Sequence, residues 1–266
     1  MKKNKLLNKI IISALGLTTI GTFSTMITSC GNTNDQTYEP TYYDFFDYIL
    51  NNDGETYAIS TNWNKSTEYT KESFNEEVII PSEYEGKPIT QINDGFLMGC
   101  TMFNNKIVIP FSIKTIGERF LQECESFNQS ITFPNSLEIL GAHFLQKCHV
   151  FNQQLVFPKS LHVIDTSFLY ECKSFDKPII VHENIEKIRD HFMYKCSNFT
   201  NLTVNCNQEN FASCNYTCGT VDDSDICYQK GITISGSHAQ EFVEKFKNSD
   251  EKDVNKGIVY RKLICA

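Results

Sequence analysis

Large apolar side chains return along this chain at a fixed step of 24 residues. Phe103, Phe127, Phe151, Phe175 and Phe199 keep that step, as do Phe96, Phe120, Phe144, Phe168 and Phe192. Cys100, Cys124, Cys148, Cys172 and Cys196 form a third register. Pro110, Pro134 and Pro158 form a fourth, with His182 in that slot one unit later. Agreement of several registers over so many units marks an array of structural repeats.

Within one unit, Ile131, Thr132 and Phe133 alternate as a strand does, with Ile131 and Phe133 on one face. Pro134 has no N–H for a ladder and ends that strand. Leu137 and Leu140, three apart, suit a 3₁₀-like or extended stretch on the opposite wall. Phe144, Leu145 and Cys148 have the i, i+1, i+4 spacing of one helical turn facing inward. The expected fold is an α/β-type repeat solenoid: flat coils of a short strand, a turn and a short helical turn. A lone coil cannot bury both its faces, so coils must stack.

The short apolar strand ending in Pro, the Ser136-Leu137…Leu140-Gly141 element and the Phe144…Cys148 turn resemble units of the BspA-like leucine-rich-repeat family. The resemblance covers residues 74–206. Tyr57-Ala58-Ile59, followed by Val78-Ile79-Ile80-Pro81, looks like that family's opening unit. The last unit, Phe199 to Val204, is one residue shorter and has Cys206 in the Pro slot, so the array is ending there. End coils need covers. Residues 38–73, with Tyr42, Tyr43, Phe45, Phe46, Tyr48 and Trp63, form the expected N-terminal cap, and residues 207–266 the C-terminal one. In the latter, Gly231–Ile234 reads as a strand, Ser237 as the N-cap of a helix through Phe242, Val243 and Phe246, and Ile258–Tyr260 as a final strand.

The first residues follow a different logic. Lys2, Lys3, Lys5 and Lys9 precede an uncharged apolar run from Ile10 to Ile27, close to the ~18 residues of a spanning helix. Ile27-Thr28-Ser29-Cys30 then resembles the lipobox of bacterial lipoproteins. That resemblance implies a signal peptide at 1–29, a diacylglyceryl group on Cys30, and a lipid-anchored protein on the outer surface of the cell membrane. Two acyl chains suffice for stable anchoring, and an uncleaved anchor is the alternative. Residues 30–37 are small and polar, a tether. Without residues 1–29 the chain carries 20 basic against 32 acidic side chains. Such a surface repels phosphate backbones, so nucleic acid is not an expected partner.

Candidate chemistry is sparse. The cysteine column lacks the close pairing that metals require and reads as a buried apolar filler. Rung-to-rung disulfides are geometrically conceivable, but an odd column cannot pair fully. Cys206, Cys214, Cys218 and Cys227 form a denser group, with Cys265 beyond it, and one or two disulfides are expected in this C-terminal segment, with zinc a lesser alternative. Asn75, Asn104, Asn128 and Asn152, continued by Asp176 and Thr200, read as side chains bonding turn backbone, or else as a polar ligand column. The six histidines show no metal spacing, and no nucleophile elbow or phosphate loop is present. The chain is therefore read as non-enzymatic and without a cofactor. On the strands, Ile79, Val108, Thr132, Val156, Ile180 and Thr203 are expected to point outward as a mostly apolar column on the solenoid's inner curve. That column reflects either β-propensity or a binding surface for a partner.

Three functions remain. The family resemblance implies an adhesin-like module binding a protein or host-surface macromolecule. A structural or shielding surface protein needs only a polar outer face. A transporter-associated substrate-binding lipoprotein needs two α/β lobes and a hinge, and no βαβ alternation is visible.

Overall fold

The computed structural model describes residues 39–211, 217–220, 231–246, 258–260 and 263–266. The leader, the tether and Cys30 lie outside the described residues. Strands β1 (Phe46–Leu50) and β2 (Tyr57–Thr61) open the chain, followed by β3 (Val78–Ile79), β4 (Glu83–Tyr84) and β5 (Lys87–Ile92). The coils contribute β6 (Ile107–Val108), β7 (Thr115–Ile116), β8 (Ile139–Leu140), β9 (Val163–Ile164), β10 (Ile179–Val181), β11 (Lys187–Ile188) and β12 (Asn201–Val204). Then come β13 (Thr217–Thr220), β14 (Ile232–Ser235), helix α1 (Ala239–Phe246), β15 (Ile258–Tyr260) and β16 (Leu263–Cys265).

The longest sheet runs β1-β2-β5-β7-β8-β9-β11, antiparallel in its first pair and parallel thereafter. Ile92, Ile116, Leu140, Ile164 and Ile188 stand opposite one another along it, each one repeat from the next and fully buried. The Leu/Ile wall, rather than the wall ending in Pro, thus carries the continuous ladder. On the Pro wall β3 pairs with β6, and β10 with β12, but residues 131–133 and 155–157 form no strand. Their side chains still alternate: Ile131 and Phe133 are buried around an exposed Thr132.

The turn expected as helical is not a helix. His143, Leu145 and Lys147 all have positive φ, near 60°, and the same three slots repeat the feature in each coil, for example at Arg119, Leu121 and Glu123. The reason is hydrogen bonding. A helical turn directs its N–H groups back along its own chain, leaving none for neighbouring coils. Here the left-handed residues aim them alternately outward. His143 donates forward to the Thr166 carbonyl at 2.7 Å, Leu145 backward to Phe120 at 3.0 Å, and Lys147 forward to Tyr170 at 2.7 Å. Between them, Gln146 and Cys148 close turns onto His143 and Leu145. Each coil is laced to both neighbours.

Two aromatic columns run through the core. Phe46 of the N-terminal cap tilts onto Phe96, and Phe96, Phe120, Phe144, Phe168 and Phe192 stack with centroids 5.3 to 6.1 Å apart. Phe211 and Phe242 of α1 close that column edge-on. Phe74 starts the second column, through Phe103, Phe127, Phe151 and Phe175 to Phe199. Beyond the array, β14 and β16 add to β12 in parallel, Leu202 opposite Ile234 and Ile234 opposite Cys265. The C-terminal cap thus continues the stack.

Candidate binding face

The outward column on the Pro wall is uneven. Val156 is 72 % exposed and Ile180 55 %, each between buried neighbours on its own segment. Thr132 is exposed too, while Val108 is half-buried. At the N-terminal end Ile79 is half-covered: Thr41 donates its N–H to the Ile79 carbonyl at 2.9 Å and accepts the Ile79 N–H on its hydroxyl. At the other end the Thr203 hydroxyl is bonded to that of Ser235 at 2.9 Å. The open part is the middle, Thr132 to Ile180.

A second outward column was not singled out from the sequence: Thr115, Ile139, Val163 and Lys187 on the continuous ladder. Their shared 24-residue step was the available signal. Ile139 is 38 % exposed, and the adjoining residues are polar or charged, with Lys114 near Glu138 at 3.8 Å and the His162 ring near Glu186 at 3.8 Å. The apolar side chains of this wall are less exposed than Val156 and Ile180, and its surroundings are more polar.

The repeated polar residues are tied into the stack. The side-chain oxygen of Asn75 accepts the N–H of Asn104, Asn104 that of Asn128, Asn128 that of Asn152 and Asn152 that of Asp176, at 2.8 to 3.0 Å. An oxygen committed to the next rung is not displayed for a ligand. Ser136 and Ser160 give their hydroxyls to the preceding coil's Ile113 and Leu137 carbonyls in the same spirit. On the turns, Lys147 meets Glu123 at 3.0 Å and Lys195 meets Glu171 at 2.9 Å.

Cys100, Cys124, Cys148, Cys172 and Cys196 are buried free thiols. Four of them also act as donors: Cys124, Cys148, Cys172 and Cys196 give S–H to the carbonyls of Leu97, Leu121, Leu145 and Leu169 at 2.9 to 3.1 Å. Burial raises the thiol pKa of Cys124, Cys148 and Cys172, which keeps them protonated and unreactive. The expected C-terminal disulfides meet a correction at two positions, since Cys206 and Cys265 are free thiols, buried and exposed respectively. Burial pushes the Cys206 pKa up to about 11. The side chains of Cys214, Cys218 and Cys227 lie outside the described residues.

Among the described residues, no cluster of His, Cys, Asp or Glu is placed to hold a metal ion, and no helix is long and apolar enough to cross a membrane. What the geometry defines is a stacked-coil scaffold with side chains committed to neighbouring rungs and one partly apolar wall left open. Residues 90–220 match the BspA type Leucine rich repeat region in six copies, so this part of the chain is similar to repeat domains of that type. Such domains are non-catalytic scaffolds generally associated with protein binding. The crystal structure of a T. pallidum leucine-rich-repeat protein (TpLRR) is 20 % identical with a TM-score of 0.48, covering 63 % of this chain and 86 % of that one. A leucine-rich-repeat protein from Bacteroides ovatus ATCC 8483 is 19 % identical with a TM-score of 0.48, over 66 % of this chain and 45 % of its own. No curated protein matches this sequence.

Proposed function

We propose that this chain is a non-enzymatic surface lipoprotein, anchored in the outer face of the cell membrane through an acylated Cys30. Its repeat domain binds a protein or host-surface macromolecule in the manner of an adhesin. The partner lies along the Pro wall, over the column Ile79, Val108, Thr132, Val156, Ile180 and Thr203, and meets it on the open stretch from Thr132 to Ile180. The observation that carries this reading is the exposure of Val156 and Ile180 on successive coils, between side chains that are themselves buried. Isolated exposed apolar residues are ordinary; a run of them on neighbouring rungs is how a repeat surface meets a partner.

The test joins a binding screen against host-cell surface and matrix proteins with the variant Val156→Lys. That lysine stands in solvent in the free protein, so thermal unfolding should be unchanged. In a complex it becomes a desolvated, unpaired charge, worth several kcal/mol against binding. Unchanged affinity for a partner found in the screen would remove this wall from the site. Failure to find any partner would favour a shielding role. The anchor is tested separately: mass spectrometry of membrane-extracted protein should find a lipid-modified Cys30 as the first residue, and an intact Met1 on the mature chain would refute it.

A further inference from the structure

The N-terminal cap, taken together with the coil segment it covers, differs from the rest of the array in charge. Residues 39–85 carry eleven carboxylates against two lysines, whereas residues 86–211 carry twelve against eleven lysines and arginines. Both cap lysines already have partners, Lys65 with Asp47 and Lys71 with Glu72. Asp44 and Asp53 hold turns, accepting from Thr67 and from Glu55 and Thr56. Glu39 and Glu83 are exposed, with no ion pair among the described residues, and they lie close enough to Tyr42 that their charges add to burial in raising its pKa. Tyr42 itself is 65 % exposed. Beside it Tyr48 stacks flat on Tyr84 at 4.0 Å, and Tyr57 meets Tyr84 edge-on at 5.1 Å.

The same cap presents an open sheet edge. β1 is the terminal strand of the long sheet. Asn62 donates to the Phe45 carbonyl at 2.7 Å and Asn51 to that of Thr56 at 2.8 Å, so the odd-numbered residues of β1 face β2. The N–H and C=O of Tyr48 and Leu50 therefore point away from β2, and no hydrogen bond among the described residues engages them. Edge strands are ordinarily blunted by lysine, proline or a bulge. β1, Phe-Asp-Tyr-Ile-Leu, has none of these, its one charge is paired with Lys65, and Ile49 and Leu50 are 48 % and 47 % exposed.

We propose that the free edge of β1 receives an extended, basic segment of a partner protein as an added strand, bonded to the backbone of Tyr48 and Leu50. Its lysine or arginine side chains lie over Tyr42, Glu39 and Glu83. Charge decides the occupant. A second copy docking edge to edge would set two strongly acidic caps against each other, whereas a basic strand meets rings and carboxylates suited to cations. This site adjoins the N-terminal end of the Pro wall, where Thr41 covers Ile79, but it uses the β1 edge and stands whether or not the open middle of that wall binds.

The experiment is a fluorescence-anisotropy titration of the full chain with a short labelled peptide alternating lysine and valine. Three comparators accompany it: the same peptide N-methylated at its inner amides, a glutamate–valine peptide, and the exposed-residue double variant Glu39→Lys/Glu83→Lys. The lysine–valine peptide should bind and the glutamate peptide should not. N-methylation should weaken binding at least ~10-fold by removing main-chain hydrogen bonds, and the double variant should weaken it ~10-fold through lost and reversed charge pairs. Equal binding of the N-methylated peptide would overturn the proposal in favour of unspecific charge attraction. So would an absence of binding, or full affinity in the double variant.

Discussion

Phe144→Ala tests the stacking itself. The ring is fully buried, with Phe120 at 5.4 Å and 5° on one side and Phe168 at 5.5 Å and 7° on the other, and Phe133 tilted against it at 5.8 Å. Truncating a buried Phe costs about 3–5 kcal/mol, and each aromatic contact adds ~0.5–1.5 kcal/mol beyond area, so the upper end of that range is expected. Because each coil packs only on its neighbours, the loss should be local in origin. In double-mutant cycles, Phe120 and Phe144 should couple by about 1 kcal/mol, while Phe96 and Phe168, with two rings between them, should add to within ~0.5 kcal/mol. Urea unfolding is followed by circular dichroism for the whole array and by fluorescence of Trp63, the single tryptophan, stacked on Phe45 at 4.3 Å. An unfolding midpoint equal to the parent's would refute the columnar core. A Phe96/Phe168 coupling as large as that of the adjacent pair would refute nearest-neighbour energetics.

Two further outcomes follow from local geometry. Arg119 has φ 59° in the slot that Gly95 fills one coil earlier at 71°, so Arg119→Gly relieves a left-handed cost of ~1–2 kcal/mol while adding ~0.5–1 kcal/mol of chain entropy; the variant should be as stable as the parent or more so, and a loss above 1 kcal/mol in urea would contradict this. His182 is buried, with Nε2–H on the Pro158 carbonyl at 2.9 Å and Nδ1 accepting the Asn184 N–H at 3.2 Å, and this second bond is one that only the neutral ring can accept. Burial lowers its pKa, with Lys159 and His162 acting the same way and the Pro158 bond and Glu183 opposing. The folded state therefore resists protonation, and stability should fall as pH drops from the unfolded value near 6.5 through the lowered folded one. In His182→Pro, which restores the residue of the three preceding coils, melting temperature should fall less over that window; an identical pH profile would exclude His182 as the cause.

The period alone identifies which side chains are inside, because burial in a stacked coil depends only on a residue's slot. Phe96 to Phe192, Phe103 to Phe199 and the five cysteines occupy buried slots for that reason, and the Asn column is bonded along the stack as its backbone-bonding reading predicts. Backbone handedness obeys no such rule. Arg119, His143, Ser167 and His191 adopt positive φ though none is glycine, and an i, i+1, i+4 pattern of Phe, Leu and Cys fits an inward helical turn equally well. The one visible signal was in the first unit, where Gly95 and Gly99 flank Leu97, all three left-handed. Strand pairing was ambiguous for a related reason. Residues 131–133 and 179–181 carry equivalent side-chain patterns, yet only the latter pair in a ladder. Pairing depends on how closely successive backbones approach, and that is set across the coil by the ladder at Ile116, Leu140 and Ile164. A Cβ on Gly141 would meet the Gly117 carbonyl carbon at 2.5 Å, so between these two coils the lack of a side chain after the ladder pair permits the close approach, while Asn93, Asp165 and Arg189 fill the same slot in coils that pair in the same ladder.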